Sequence, residues 1–326
     1  MFAYLSRRIA FALFLVFAVS SASLVLARLA GGDYVTESLG IEARRETVEQ
    51  ARARYGLDKS IGEQYFDWLG RAARLDLGRS LLYDRPVREL IPARAANTAI
   101  LAFTALLFAT FIGLPLGIVA GSRHGGPGGH GGPGGIVAGA IRWISLVLLS
   151  MPPLLTSLFL IFIAARTGWM PIAGMRSAEA PAAGLTLDLL HHLVVPACAL
   201  ALPLAAMFER LQAQAMAEVI QAPYVIAAFA RGVPRSRIVW RDALKAALRP
   251  VAAVYGLIVG TLLSGSFVVE VITAWPGLGR LMLDALRARD LYLVAGCAGT
   301  GAVFIALGSL LSDAALALVD PRAADA

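Results

Sequence analysis

LVVPACALALPLAAMF, residues 193–208, lies between His192 and Glu209 and contains no Asp, Glu, Lys or Arg. Whether it crosses a bilayer decides the fold. A hydrocarbon core about 30 Å thick asks for roughly 20 apolar helical residues. This run falls short of that and is broken by Pro196 and Pro203, although buried neighbours let a membrane helix tolerate proline. Outward from it lie five longer charge-free runs: Ile9 to Ala27, Ala95 to Ser122, Trp143 to Ala165, Pro250 to Val269 and Leu291 to Ser312. Counting 193–208 as a sixth span puts the loops on either side of it on consistent faces.

The composition agrees. For 326 residues, 58% hydrophobic content, 16% charged residues and a mean hydropathy of +0.70 lie outside the soluble range. The expectation is one all-α membrane domain. The net charge of +7 reflects topology rather than nucleic acid, because the basic residues fall between apolar segments. Cys198 and Cys297 sit inside apolar stretches as small hydrophobes, with no role assigned. With the N-terminus inside, Arg7, Arg8, Arg123, Arg142 and the seven basic residues of loop 209–249 collect on the cytoplasmic side, while the outside loop 31–94 carries eleven charges of each sign. The positive-inside rule thus places both termini in the cytoplasm, and residues 1–30 form an uncleaved first span with its cytoplasmic end.

Loop 31–94 is too long for a connector, and from Arg44 to Asp76 its apolar residues recur at helical spacing, predicting a small folded cap with Tyr65, Phe66, Trp68 and Leu69 packed together. Residues 123–135, with HGGPGGHGGPGG at their centre, read as a flexible linker. His124 and His130 there lack the fixed geometry of a metal site. The remaining core, 95–320, holds the inside loop 209–249. Its stretch YVIAAFARGVPRSRIVWRDALKAALRP, 224–250, predicts a short helix, a turn at Gly232, a second helix from Pro234 and entry into a span at Pro250. Ala227, Ala228 and Ala230 keep the first helix slender, which suits insertion into a partner's groove. Arg231, Arg235, Arg237, Arg241, Lys245 and Arg249 could pair with acidic groups there or with anionic lipid. The residues alone leave open that these charges only fix topology.

That stretch resembles the coupling signature of ABC importer permeases, in which Glu-Ala-Ala, three residues and Gly precede a helix ending in Leu-x-Pro. Here the pattern is carried by Ile226, Ala227, Ala228, Gly232, Leu248, Arg249 and Pro250, with Ile226 in place of the Glu. YLSRRIA (4–10), RYGLDKSIGEQYFDWL (54–69), LDLGRSL (75–81), GLPLGIVAG (113–121), SMPPLL (150–155), ITAWPGLGRLMLDALRARD (272–290) and LVDP (318–321) are similar to the dipeptide, oligopeptide and nickel branch of that family. Gly31, Gly32 and Asp33, and the Gly-Pro repeat, depart from it. The resemblance implies the six-helix type I importer permease fold, in a bacterial inner membrane. It further implies an ATPase-coupling surface at Tyr224, Ala227, Ala228, Arg231, Gly232 and Arg235. It places Trp275, Pro276, Gly277 and Gly279 at an outer gate facing a solute-binding protein. The implied partners are a second, related permease and two cytoplasmic ATPase subunits or domains, which bind the ATP; the chain itself needs no cofactor.

Two other classes compete. An ion-coupled secondary transporter needs ionisable groups at membrane depth, and none of the six charge-free runs contains one. A membrane enzyme needs converging acid-base or metal groups, and the one adjacent pair, His191 and His192, reads as interfacial. Neither Lys59 nor Lys245 follows a Gly-rich phosphate loop, so ATP hydrolysis is expected on another polypeptide.

Overall fold

A computed structural model describes residues 2–30, 34–39, 46, 49, 50, 52, 53, 57–74, 76–124, 133–177 and 187–319. The departure at Gly31–Asp33, most of the Gly-Pro linker including His130, and the end of the LVDP motif lie outside the described residues. The described chain is helical throughout: α1 Phe2–Leu29, α2 Tyr34–Leu39, α3 Ile61–Ala72, α4 Val87–His124, α5 Pro133–Ser150, α6 Pro153–Thr167, α7 Leu187–Ile220, α8 Pro223–Ala230, α9 Arg235–Arg237, a π-helical turn Ile238–Ala243, α10 Leu244–Ala247, α11 Arg249–Gly265, α12 Phe267–Ile272, α13 Leu278–Arg287 and α14 Leu291–Val319. Among the described residues, five helical stretches are long and apolar enough to cross a membrane, and α5 with α6 makes a sixth if that bent pair is one span.

The chain divides into two compact units, 1–99 with 263–306 and 100–262 with 307–326. The divisions fall inside long apolar helices, which carry no polar linker to mark them in the sequence.

In the first unit, the cap is built around α3. Ser60 opens it with a capping box, its side chain accepting from Glu63 N while the Glu63 carboxylate accepts from Ser60 N. Trp68 is buried with Leu24 of α1 and Ala295 of α14, and Tyr65 Oη donates to Ser21 Oγ at 3.1 Å. Phe66 keeps an edge-on contact with Tyr65, ring centroids 5.6 Å apart, but is 70% exposed. Asp290 pins the loop before α4 to the start of α14: its buried carboxylate accepts from Ser80 Oγ at 2.6 Å, Leu82 N at 3.0 Å and Leu293 N at 3.2 Å.

The second unit is organised by α7, the helix that contains 193–208. It is the least hydropathic of the five straight candidates, yet 61% of its apolar window is buried, against 11% for α1. A helix covered by protein needs less lipid-compatible surface, so its weak apolar signal marks a central position. Helices α5 and α6 both pack along it. The expected span Trp143–Ala165 is not straight: α5 and α6 meet at 104°. Pro152 adopts extended backbone there, φ −64° and ψ 149°, since the residue before Pro153 is driven from the helical region. On α4, Gly113, Gly117 and Gly121 of GLPLGIVAG form a smooth ridge against α7. A Cβ on Gly113 would lie 2.5 Å from Ala205 O, and one on Gly117 2.6 Å from Glu209 O. Small residues at four-residue spacing allow this close helix contact in a membrane.

Candidate functional site

Helix α8 follows α7 after a two-residue break, with Pro223 at its first position, where a missing N–H costs nothing. It ends in a Schellman turn. Gly232, at φ +75°, donates to Phe229 O at 2.9 Å, and Val233 N donates to Ala228 O at 3.2 Å. Val225, Ala228 and Ile238 form the core beneath, flanked by Phe229 and Val233. The helix therefore has two faces. Val225 and Ala228 point inward, whereas Tyr224 at 51% and Ile226 at 56% are exposed, together with Ala227, Ala230, Arg231 and Gly232.

The six residues expected at the coupling surface thus separate. Tyr224, Ala227, Arg231 and Gly232 share open surface. Ala228 is packing, and Arg235, also exposed, has its Nη2 donating to Ser122 O at 2.8 Å near the C-terminal end of α4. A cation at a helix C-terminus meets free carbonyls and the negative end of the dipole. Behind α8, α9, the π turn and α10 return the chain to α7. Val239, Ala243 and Ala247 pack on Ile118, Ala215, Met216 and Ile220, giving α8 a rigid base.

The second expected site forms a closed knot in the first unit. Trp275 is fully buried; its Nε1 donates to Asn97 O at 3.0 Å, and Asn97 Nδ2 donates to Pro276 O at 2.9 Å. At its centre is Glu270, also fully buried, which the sequence reading left outside every site. Its carboxylate accepts from Thr98 Oγ1 at 2.7 Å, Ser266 Oγ at 2.6 Å, Gly279 N at 2.8 Å and Arg280 N at 3.2 Å. The last two are orphan donors of the first turn of α13, so Glu270 caps that helix from a distance. Any Cβ on Gly277 would strike the Glu270 carboxylate, and one on Gly279 would lie 2.6 Å from Phe267 Cα. The glycines make room for the carboxylate.

Glu209 was likewise missed, because the apolar run was ended at it. Helix α7 continues past it to Ile220, so both Glu209 and Glu270 belong to helices that qualify as spans. The charge-free runs themselves hold no such group, but the helices that carry them extend to Glu209 and Glu270. At the other end of α7, His191 Nε2 donates to Trp169 O at 2.8 Å and His192 Nδ1 to Asp188 O at 2.9 Å, which ties that end of the helix to the preceding loop.

Comparison with known proteins identifies this architecture. Residues 113–325 match the family model described as binding-protein-dependent transport system inner membrane component, and residues 1–102 match its N-terminal counterpart. The oligopeptide transport system permease protein AppB of Bacillus subtilis is 31% identical over 99% of both chains. The di/tripeptide transport system permease protein DppB of Pseudomonas aeruginosa is 34% identical over 99% of this chain and 98% of that one. The chain belongs to the binding-protein-dependent transport system inner membrane components, multi-pass permeases of the ABC importer type.

Proposed function

We propose that the chain forms half of the solute pathway of an ATP-driven importer of peptides or similar small solutes, nickel chelates included. The exposed face of α8 carries this reading. Tyr224, Ile226 and Ala227 present apolar surface on a short helix locked by the Gly232 turn and seated on α7. A rigid helix with one uncovered apolar face suits a groove on a partner, here one of two cytoplasmic ATPase subunits or domains, with Arg231 at the rim. ATP is bound and hydrolysed there, and this chain needs no cofactor of its own. The names of the two relatives favour peptides as cargo. A second, related permease completes the pathway, an extracytoplasmic binding protein delivers the solute, and both termini lie in the cytoplasm by the distribution of basic residues. The Trp275–Gly279 knot holds the outer end of the pathway on the binding-protein side.

In membranes holding the whole assembly, Ala227→Cys should cross-link to an ATPase subunit. Ala227→Trp should abolish solute uptake and its coupled ATP hydrolysis while the complex still co-purifies with the second permease. Full uptake by Ala227→Trp, or by this chain alone in liposomes under an ion gradient, would reject the reading.

A further inference from the structure

Glu209 is 1% exposed and neither carboxylate oxygen has a hydrogen-bond partner; Gln212, three residues on, is fully buried with neither end of its amide engaged. An unpaired carboxylate at such a position is costly in either protonation state. The same chain satisfies Glu270 and Asp290 completely, with four and three donors respectively. Glu209 lines a cleft of about 550 Å³ shared with Arg142, Leu146, Arg210, Gln214 and Glu218.

We propose that this cleft is a station for the passing solute, at which the Glu209 carboxylate accepts the solute's primary ammonium group. An ammonium carries three donors and can engage both oxygens, and a charge-assisted bond of this kind gains strength away from water. Arg210 lines the same cleft, so a solute that also carries a carboxylate finds a counter-charge within it. A free peptide terminus meets both requirements; this cargo class rests on the importer reading above. Glu209 lies on the part of α7 that runs on into α8, so the station sits toward the coupling end of the pathway.

The test uses membrane vesicles containing the complete transporter, with Cys198 and Cys297 replaced by Ala and Gln214→Cys as a maleimide target. Ethylammonium and dialanine are expected to slow labelling about threefold at twice their Kd, the factor 1 + [L]/Kd, while N-acetyl-dialanine has no effect. Adding Glu209→Gln, which keeps the shape, should remove both protections and leave the rate without ligand unchanged. Protection that survives Glu209→Gln, equal protection by N-acetyl-dialanine, or no protection by either amine would overturn the station. So would complete failure of Gln214→Cys to label, since the second permease would then cover the cleft. Protection by ethylammonium but not by dialanine supports the ammonium station and counts against peptides as cargo, so the two readings fail separately.

Discussion

Glu270 and Glu209 are both buried carboxylates on apolar helices, and the fold treats them in opposite ways. Around Glu270, two hydroxyls and two backbone amides converge, and Gly277 and Gly279 give up their side chains to admit it. Around Glu209 no donor reaches the carboxylate, although α4 comes as close as three glycines permit. A satisfied buried charge is a structural rivet. An unsatisfied one is a group that can still take a hydrogen-bond donor.

Substitution should separate the two most sharply. Glu270→Ala orphans four donors at once and is expected to cost about 3 kcal/mol or more, seen as loss of folded yield and a lower thermal midpoint in detergent. Glu209→Gln keeps the shape of a side chain that no protein group hydrogen-bonds, so its midpoint should stay within about 1 kcal/mol of wild type or rise. Equal destabilisation by the two would break the distinction.

The packing that holds Glu209 can be tested next. Gly117→Val drives a side chain into the backbone of α7, where overpacking costs about 1–3 kcal/mol. It should also shift the Gln214→Cys labelling rate, whereas the same change at Gly301, where an added Cβ meets nothing, should do neither. A smaller effect is expected at the α8 turn, where Gly232→Ala meets no atom but must hold φ +75°, at about 1 kcal/mol. Its larger consequence should be a fall in ATPase-coupled uptake, because the turn sets the direction of α8.

The faintest contrast is the cap, which relies on solvent-exposed charge. Lys59 holds the Asp67 carboxyl below its usual range, and the backbone and hydroxyl of Ser60 do the same for Glu63. Groups with folded values depressed in this way add stability above the unfolded carboxylate range and lose it as pH falls through the folded values. A variant retaining only Trp68 should therefore show a small red shift of emission below the ordinary carboxylate range, and none between neutral pH and that range.

Much of this was legible in the sequence. Charge-free runs located the spans, and the Ala-Ala-x₃-Gly spacing located α8 with its turn. Four things were not. Ending each run at its first charged residue hid Glu209 and Glu270, since helices do not stop where hydropathy does when protein rather than lipid is the neighbour. The bend between α5 and α6 was written in Met151-Pro152-Pro153, but hydropathy averages across a proline pair without seeing backbone. The glycine ridge 113-117-121 was visible as spacing; its partner on α7 was not, because helix contacts leave no local trace. Trp275, an aromatic in a Gly-Pro turn, looked like a surface feature and is fully buried, because a turn can close over its own side chain.

The π turn at Ile238–Ala243 has a consequence for how such chains can change by descent. A π turn holds one residue more than the α-helical turn it replaces, so it has the form of a single-codon insertion that the helix absorbed without breaking. Deleting one residue there, Trp240 for instance, would restore an ordinary α-helix and rotate everything on one side of it by about 100° relative to the other. Val239, Ala243 and Ala247 could then no longer all face α7. A frame-preserving deletion of three nucleotides would thus re-aim α8 while leaving every residue of that helix unchanged.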